Sequence, residues 1–281
     1  MAEVRENLRR MTYEVAEAVA PGWERRRASI EEIAAPVRDW MIDALVPSEG
    51  DTVLELACGA GDTGFEAAAI VGDNGLLIAS DFSPSMLEAA RRRGEEIGTR
   101  NVDFEVMDAE DIELEDDSVD GVLCRFGYML MADPAAALAE TRRVLRPGGR
   151  LSLAVWGSPE RNPFFTTIAM ALVQRGLMPP PDLEAPGIFF MASPERTAGL
   201  LEDAGFGEVK TEEIAVELPM ASVDEYVEFV VDTSGPIAFA LMEAPAEQRK
   251  ELNGPLEEAM APFAADRGYV FPGVVLAAVA S

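Results

Sequence analysis

Two periods of hydrophobicity divide the chain. Over residues 1–48 apolar side chains recur three to four positions apart, at Val15, Val19, Ile30, Ile33, Val37, Trp40, Met41 and Leu45, the spacing that gives a helix one buried stripe. Pro21-Gly22 interrupts this stretch and predicts a break into two helices. From residue 51 the pattern becomes short apolar runs separated by amphipathic stretches. Residues 52–57, 76–80, 102–107, 119–124 and 150–155 read as strands, and 63–71, 84–97 and 134–145 as helices. Strands that are apolar on both faces belong in a parallel sheet covered on both sides, and regular strand–helix alternation winds such a sheet. Beyond Trp156 a helix is expected over 164–175, followed by the Pro179-Pro180-Pro181 run, which neither a helix nor a central strand accepts. Ser193 and Pro194 open a further helix as N-cap and first-turn residue, and Gly205 closes it. A strand over 208–218, two or three helices within 222–266, and a last strand over 269–279 interrupted at Pro272-Gly273 complete the prediction.

The first strand runs into Cys58-Gly59-Ala60-Gly61-Asp62-Thr63-Gly64 and a helix start. Gly59 gives the turn its backbone freedom, and Gly61 is expected to let a ligand approach the main chain. The helix N-terminus adds unpaired N–H groups and a positive dipole end. The run satisfies G-x-G-x-x-G, which alone is a weak sign of dinucleotide binding. Three acids at strand positions sharpen it: Glu55 in the first strand, Asp81 ending the second and Asp108 after the third. Asp81 is placed to accept from both hydroxyls of a ribose, and Asp108-Ala109 to meet an adenine edge. Asp62 stands where a pyrophosphate would lie, and like charges there repel. The ligand that suits this cleft has a ribose and an adenine, no phosphate, and positive charge. S-adenosylmethionine is that molecule.

Composition removes several other chemistries. The 281 residues carry 23 Lys+Arg against 51 Asp+Glu, a formal charge of −28, so a nucleic-acid partner is not expected. There is no histidine, which excludes His-based triads and imidazole metal sites; no metal site is expected. Cys58 and Cys124 are the only thiols and read as packing residues. No apolar run is long enough to span a bilayer. The polar start and the scarcity of cysteine predict a cytoplasmic protein, for which the sequence leaves a homodimer open.

Four runs carry a family resemblance: VLELACGAGDTG (53–64), IASDFSPSMLEAAR (78–91), VMDAEDIELEDDSVDGVLCRFG (106–127) and ALAETRRVLRPGGRLSLAVW (137–156). In this order they resemble class I S-adenosylmethionine-dependent methyltransferases, of the branch that includes the ubiquinone/menaquinone-biosynthesis enzymes. The resemblance is strong over 50–156 and weaker elsewhere. It implies an α/β, Rossmann-like, doubly wound seven-stranded sheet, mostly parallel with an antiparallel last strand, joined by N-terminal helices and a helical lid. On that plan 1–48 cover the active site, 49–157 form the cofactor-binding core, 158–192 are a lid insertion, and 193–281 complete the sheet with a cap at 222–266. The implied cofactor-binding residues are Glu55, Ala57, Gly59, Gly61, Asp81, Phe82, Met86, Asp108, Ala109, Arg125 and Phe126. The family often has a histidine shortly after the fourth strand, where this chain has Met129-Leu130-Met131.

The expected activity is in-line methyl transfer to a small organic acceptor, apolar or quinone/phenol-like, with alignment contributing most of the rate. Tyr13, Tyr128, Tyr226 and carboxylates are the candidate bases, and Tyr128 is the best placed in sequence. The acceptor pocket is expected above the carboxyl ends of the strands, walled by aromatic and apolar residues including Trp23, Trp40, Trp156, Phe164, Phe165, Phe189, Phe190, Met191, Phe229, Phe239 and Met242. The alternatives are an S-adenosylmethionine-binding protein without methyl transfer and a nicotinamide-dependent oxidoreductase.

Overall fold

A computed structural model describes residues 2–281. The elements in chain order are α1 (Ala2–Leu45), β1 (Thr52–Glu55), α2 (Thr63–Val71), β2 (Leu76–Asp81), α3 (Pro84–Ile97), β3 (Val102–Val106), β4 (Val119–Arg125), α4 (Pro134–Val144), β5 (Leu145–Trp156), α5 (Pro163–Gln174), α6 (Pro194–Asp203), β6 (Lys210–Met220), α7 (Val223–Thr233), α8 (Gly235–Glu243), α9 (Ala246–Lys250), α10 (Asn253–Met260) and β7 (Tyr269–Ala280). The seven strands form one sheet in the order β3-β2-β1-β4-β5-β7-β6. The strands β1 to β5 pair in parallel, while β7 runs antiparallel to both β5 and β6. Strand order reverses between β1 and β4, and open α/β sheets place their ligand crevice at such a point.

Alternate strand residues feed two cores. Val53, Leu77, Leu123 and Ala154 pack with α1, α2, α3 and α5 on one face, and Leu54, Ile78, Val122, Cys124 and Leu153 pack with α4 and α6 on the other. Both faces are covered, which explains why these strands read as continuous apolar runs. Ser83 caps α3 by accepting from the Met86 N–H at 3.1 Å, and Ser193 caps α6 by accepting from the Arg196 N–H at 3.1 Å.

Three expectations are corrected. No break occurs at Pro21-Gly22: α1 is continuous for 44 residues with Pro21 and Pro36 inside it. Pro21 removes one hydrogen bond, but tertiary contacts fix the helix on both sides of it. The Trp23 indole N–H donates to the Thr233 carbonyl at 3.2 Å, Arg25 and Arg26 pair with Asp232 at 2.5 and 2.8 Å, and Val37 and Met41 are fully buried against the sheet. The 222–266 stretch holds four α-helices rather than two or three. Strand β7 passes unbroken through Pro272-Gly273 because the β5 register ends at Trp156–Val275, so at Pro272 only β6 is a neighbour and the missing N–H interrupts no second ladder.

Candidate active site

The loop between β1 and α2 bends sharply. Ala57, Gly59, Gly61 and Asp62 all have positive φ, at 51°, 56°, 85° and 95°. Across the crevice Phe126 also has φ 63°. Left-handed backbone at two non-glycine residues facing one cavity, Ala57 and Phe126, is the kind of strain that clusters at ligand sites. Gly127 permits this approach, since a Cβ there would lie 2.8 Å from the Ala57 Cβ and 2.6 Å from the Cys124 sulfur.

Asp81 is buried at the tip of β2. One carboxylate oxygen accepts from the Gly59 N–H at 2.9 Å and the other from the Ser83 N–H at 2.9 Å. Burial pushes its pKa up to about 6 against the pull of these two N–H groups, with nearby Glu17 raising it further. Glu17, from α1, accepts from the Ser83 hydroxyl at 2.5 Å and from the N–H and hydroxyl of Ser85 at 3.1 and 2.7 Å. The N-terminal part of α1 reaches the site too: Arg9 pairs with Asp108 at 2.7 Å and Glu110 at 3.3 Å.

Glu55 is 3 % exposed and accepts from the Gly64 N–H at 3.1 Å. The third glycine of the motif exists for this contact, because a Cβ at Gly64 would lie 3.0 Å from the Glu55 carboxyl carbon. Burial lifts the Glu55 pKa to about 8, opposed by the Arg125 charge and the Gly64 N–H. The folded state therefore holds this proton more tightly than the unfolded chain does. The group's contribution to stability is complete below the ordinary carboxylate range and is lost as pH rises through about 8. We expect Glu55→Gln to raise the thermal midpoint at pH 9 by several degrees and to narrow the gap between pH 6 and pH 9. An unchanged gap would show that Glu55 is ionised in the fold.

A cavity of about 1130 Å³ opens above these strand ends. Ten of the residues expected to bind the cofactor line it: Glu55, Ala57, Gly59, Asp81, Phe82, Met86, Asp108, Ala109, Arg125 and Phe126. Gly61 is not among its lining residues. A Cβ there would meet the Phe65 ring at 2.5 Å, so this glycine makes room for a core aromatic. Asp62 is also reinterpreted. It is paired with Arg93 at 2.8 Å and Arg27 at 3.6 Å, so it is no bare charge repelling a pyrophosphate.

Tyr128 is corrected as a candidate base. It is fully buried on the α4 side of the sheet, its hydroxyl 2.6 Å from the Thr141 hydroxyl, and burial pushes its pKa well up. Tyr226 is equally buried and donates to the Phe164 carbonyl. Tyr13 packs edge-on against Phe82. None of the tyrosines lines the cavity among the described residues. Of the expected wall, Trp23, Trp156, Phe164, Phe165, Phe189, Phe190, Phe229 and Phe239 line it, whereas Trp40, Met191 and Met242 do not. Phe126 stacks on Trp156 at 4.7 Å and 6°, Trp156 meets Phe165 edge-on at 4.8 Å, and Phe165 meets Phe189 at 6.2 Å. Sequence reasoning missed Arg9, Glu17 and Glu31, which reach the site from α1 across 66 to 99 positions of chain. Nothing local distinguishes them from other charges on an amphipathic helix.

Known proteins match this arrangement. The ubiE/COQ5 methyltransferase family matches residues 32–180. A demethylmenaquinone methyltransferase of Clavibacter sepedonicus is 35% identical over 116 residues, covering 41% of this chain and 45% of that protein. Aklanonic acid methyltransferase DauC of Streptomyces sp. (strain C5) is 35% identical over 121 residues, covering 43% and 55%. The chain thus spans about half the length of the curated relatives it matches. In fold it is similar to YcgJ protein from Bacillus subtilis, with a TM-score of 0.60 at 19% identity over 86% of this chain and 96% of that one. The family match takes in the glycine turn, the three strand-end acids and the Arg125-Phe126 step, and the chain belongs to the ubiE/COQ5 methyltransferase family.

Proposed function

We propose that the chain transfers a methyl group from S-adenosylmethionine to a small, planar, largely apolar organic acceptor of the quinone or phenol kind. One observation carries this reading: a single cavity of about 1130 Å³ joins the acid-rich strand tips to an aromatic wall. That exceeds the roughly 300–1,000 Å³ of a site for one drug-sized ligand, so a nucleoside and an acceptor fit side by side. The residues suit the cofactor. Each Asp81 oxygen holds one N–H and keeps a lone pair for a ribose hydroxyl. A Cβ built on Gly59 would meet nothing within 4 Å, which leaves the main chain there open to close approach. Asp108 and Ala109 would meet the adenine, Phe82 and Met86 the nucleoside, and Glu55, Ala57 and Phe126 the methionine end.

When bound, S-adenosylmethionine would supply an electrophilic methyl carbon on a sulfonium. The protein's part is to position the acceptor on the Phe126–Trp156 bench and to exclude water with the 158–192 and 222–266 segments, whose residues line the cavity. The similarity to a demethylmenaquinone methyltransferase and an aklanonic acid methyltransferase supports an acceptor of this class.

The test is equilibrium binding followed by transfer of label. S-adenosylhomocysteine should bind at least 100-fold more tightly than NADH, and methyl-labelled cofactor should label a demethylated hydroxynaphthoquinone or a phenolic polyketide acid. Tighter binding of NADH would establish the oxidoreductase reading. Tight S-adenosylhomocysteine binding with no label transferred across the panel would establish a non-methylating binder.

A further inference from the structure

We propose that Arg125 is a catalytic residue whose free guanidinium arm binds the ionised oxygen of a phenol- or enol-type acceptor, so that the acceptor enters the reaction as an anion. This rests on the methyl-transfer reading and names the group that activates the acceptor.

Arg125 ends β4 with a side chain only 9 % exposed. Its Nη2 pairs with Glu31 of α1 at 2.5 Å, while its Nη1 is buried with no hydrogen-bond partner, and the residue lines the cavity. A buried donor left unpaired carries its full desolvation cost, the more so on a cation. Among the described residues the one other cationic side chain with an unpartnered buried nitrogen is Arg9, whose guanidinium is committed to Asp108 and Glu110 at the adenine end.

The protein offers Nη1 nothing else. Glu31 is shared with Arg38, whose Nη1 lies 3.5 Å from its second oxygen. Asp62 is held by Arg93 and Arg27. Asp81 is committed to the Gly59 and Ser83 N–H groups and, on the reading above, to the ribose. Burial lifts Glu55 to a pKa of about 8, so near neutrality it is largely uncharged. The buried Cys58 thiol, on the glycine turn, has its pKa pushed well up and stays protonated. With these groups as its surroundings, the pocket around Nη1 has room in its charge balance for one added negative group.

The neighbouring residue says what shape that group has. Phe126 lies flat on Trp156, and Phe165 and Phe189 continue the aromatic wall into the lid. A planar ring on this wall presents a ring oxygen towards Arg125. The chain has no histidine and no tyrosine among the described residues that line the cavity. On this reading activation proceeds by lowering the acceptor's own pKa: its O–H gives the proton to bulk water, the oxygen keeps the electron pair, and Nη1 donates to that oxygen in a charge-assisted hydrogen bond.

The probe is 4-nitrophenol, whose phenolate is read by its visible absorbance. Titrated on the chain saturated with S-adenosylhomocysteine, its apparent pKa should fall by about 1–2 units. The fall should vanish in Arg125→Met and return in part in Arg125→Lys, with S-adenosylhomocysteine affinity within about threefold of wild type in both. Glu31→Gln, which keeps the guanidinium, should deepen the fall and guards against an Arg125 variant that does not fold. No lowering in the wild type, or an equal lowering in Arg125→Met, overturns the proposal. A tenfold or greater loss of S-adenosylhomocysteine affinity in Arg125→Met also overturns it, by giving Nη1 to the cofactor's carboxylate. The same titration without S-adenosylhomocysteine separates the two readings: a wild-type chain that binds nitrophenolate but not the cofactor product keeps the anion site and sinks methyl transfer.

Discussion

Asp81→Ala should lower the affinity for S-adenosylhomocysteine by about 10²–10³-fold. Two hydrogen bonds from ribose hydroxyls to a buried carboxylate are worth about 1.5–3 kcal/mol each, and a loss of about 3–4 kcal/mol corresponds to that factor. The fold should survive. Asp81 also ties the Gly59 and Ser83 N–H groups, but its raised pKa of about 6 means that the folded chain already holds this carboxylate at a cost near neutrality. The stability contribution of such a group is present below the ordinary carboxylate range and fades as pH rises through about 6. Binding has the opposite sense, because the ionised form is the better acceptor. Wild-type affinity should be flat above pH 7 and fall about tenfold per pH unit below about 6. Calorimetric titration of both proteins across pH 5–8 decides this, and affinity within threefold of wild type in Asp81→Ala would remove the ribose from β2.

Gly22→Ala is expected to destabilise the protein by about 2 kcal/mol, against the sign that helix propensity predicts. In an exposed helix the change gains up to about 1 kcal/mol. Here a Cβ would lie 2.6 Å from the Asp232 Cα and 2.8 Å from its carbonyl carbon. Those are backbone atoms that cannot rotate away, and overpacking of this kind costs about 1–3 kcal/mol or more. The displaced helix would also strain the Trp23–Thr233 hydrogen bond and the Arg25 and Arg26 pairs with Asp232. Urea denaturation measures the difference, and a variant as stable as wild type would mean that α1 and α7 separate without penalty.

The two predictions sit on opposite sides of what the sequence made legible. Asp81, Glu55 and the glycine turn announce themselves because an acid at the tip of an apolar strand, or a glycine where a strand becomes a helix, has few other uses. The sheet was readable for a related reason: strands buried on both faces leave runs such as Leu76–Ala79 with no polar interruption. What was hidden depends on contacts made far along the chain. Pro21-Gly22 has the local character of a break, and only the α7 backbone packed against it explains why the helix continues. Gly61 looks like a ligand position until Phe65 is seen behind it. Tyr128 is one residue past Gly127, yet it faces the opposite core. Asp62 reads as a free charge because its partners, Arg93 and Arg27, come from two other helices.

The unbroken length of α1 carries one more consequence. Glu17 meets the start of α3, Gly22 and Arg26 meet α7, Arg27 meets Asp62 ahead of α2, and Glu31 meets the end of β4, while Val37, Met41 and Leu45 seat the same helix on the sheet. A helix behaves as a screw, turning about 100° per residue. Inserting or deleting a single residue between Glu31 and Val37 would swing every upstream side chain a quarter turn or more away from its partner at once. The span is therefore gauged to the residue, and this surface-run segment should tolerate changes of side chain far better than changes of length.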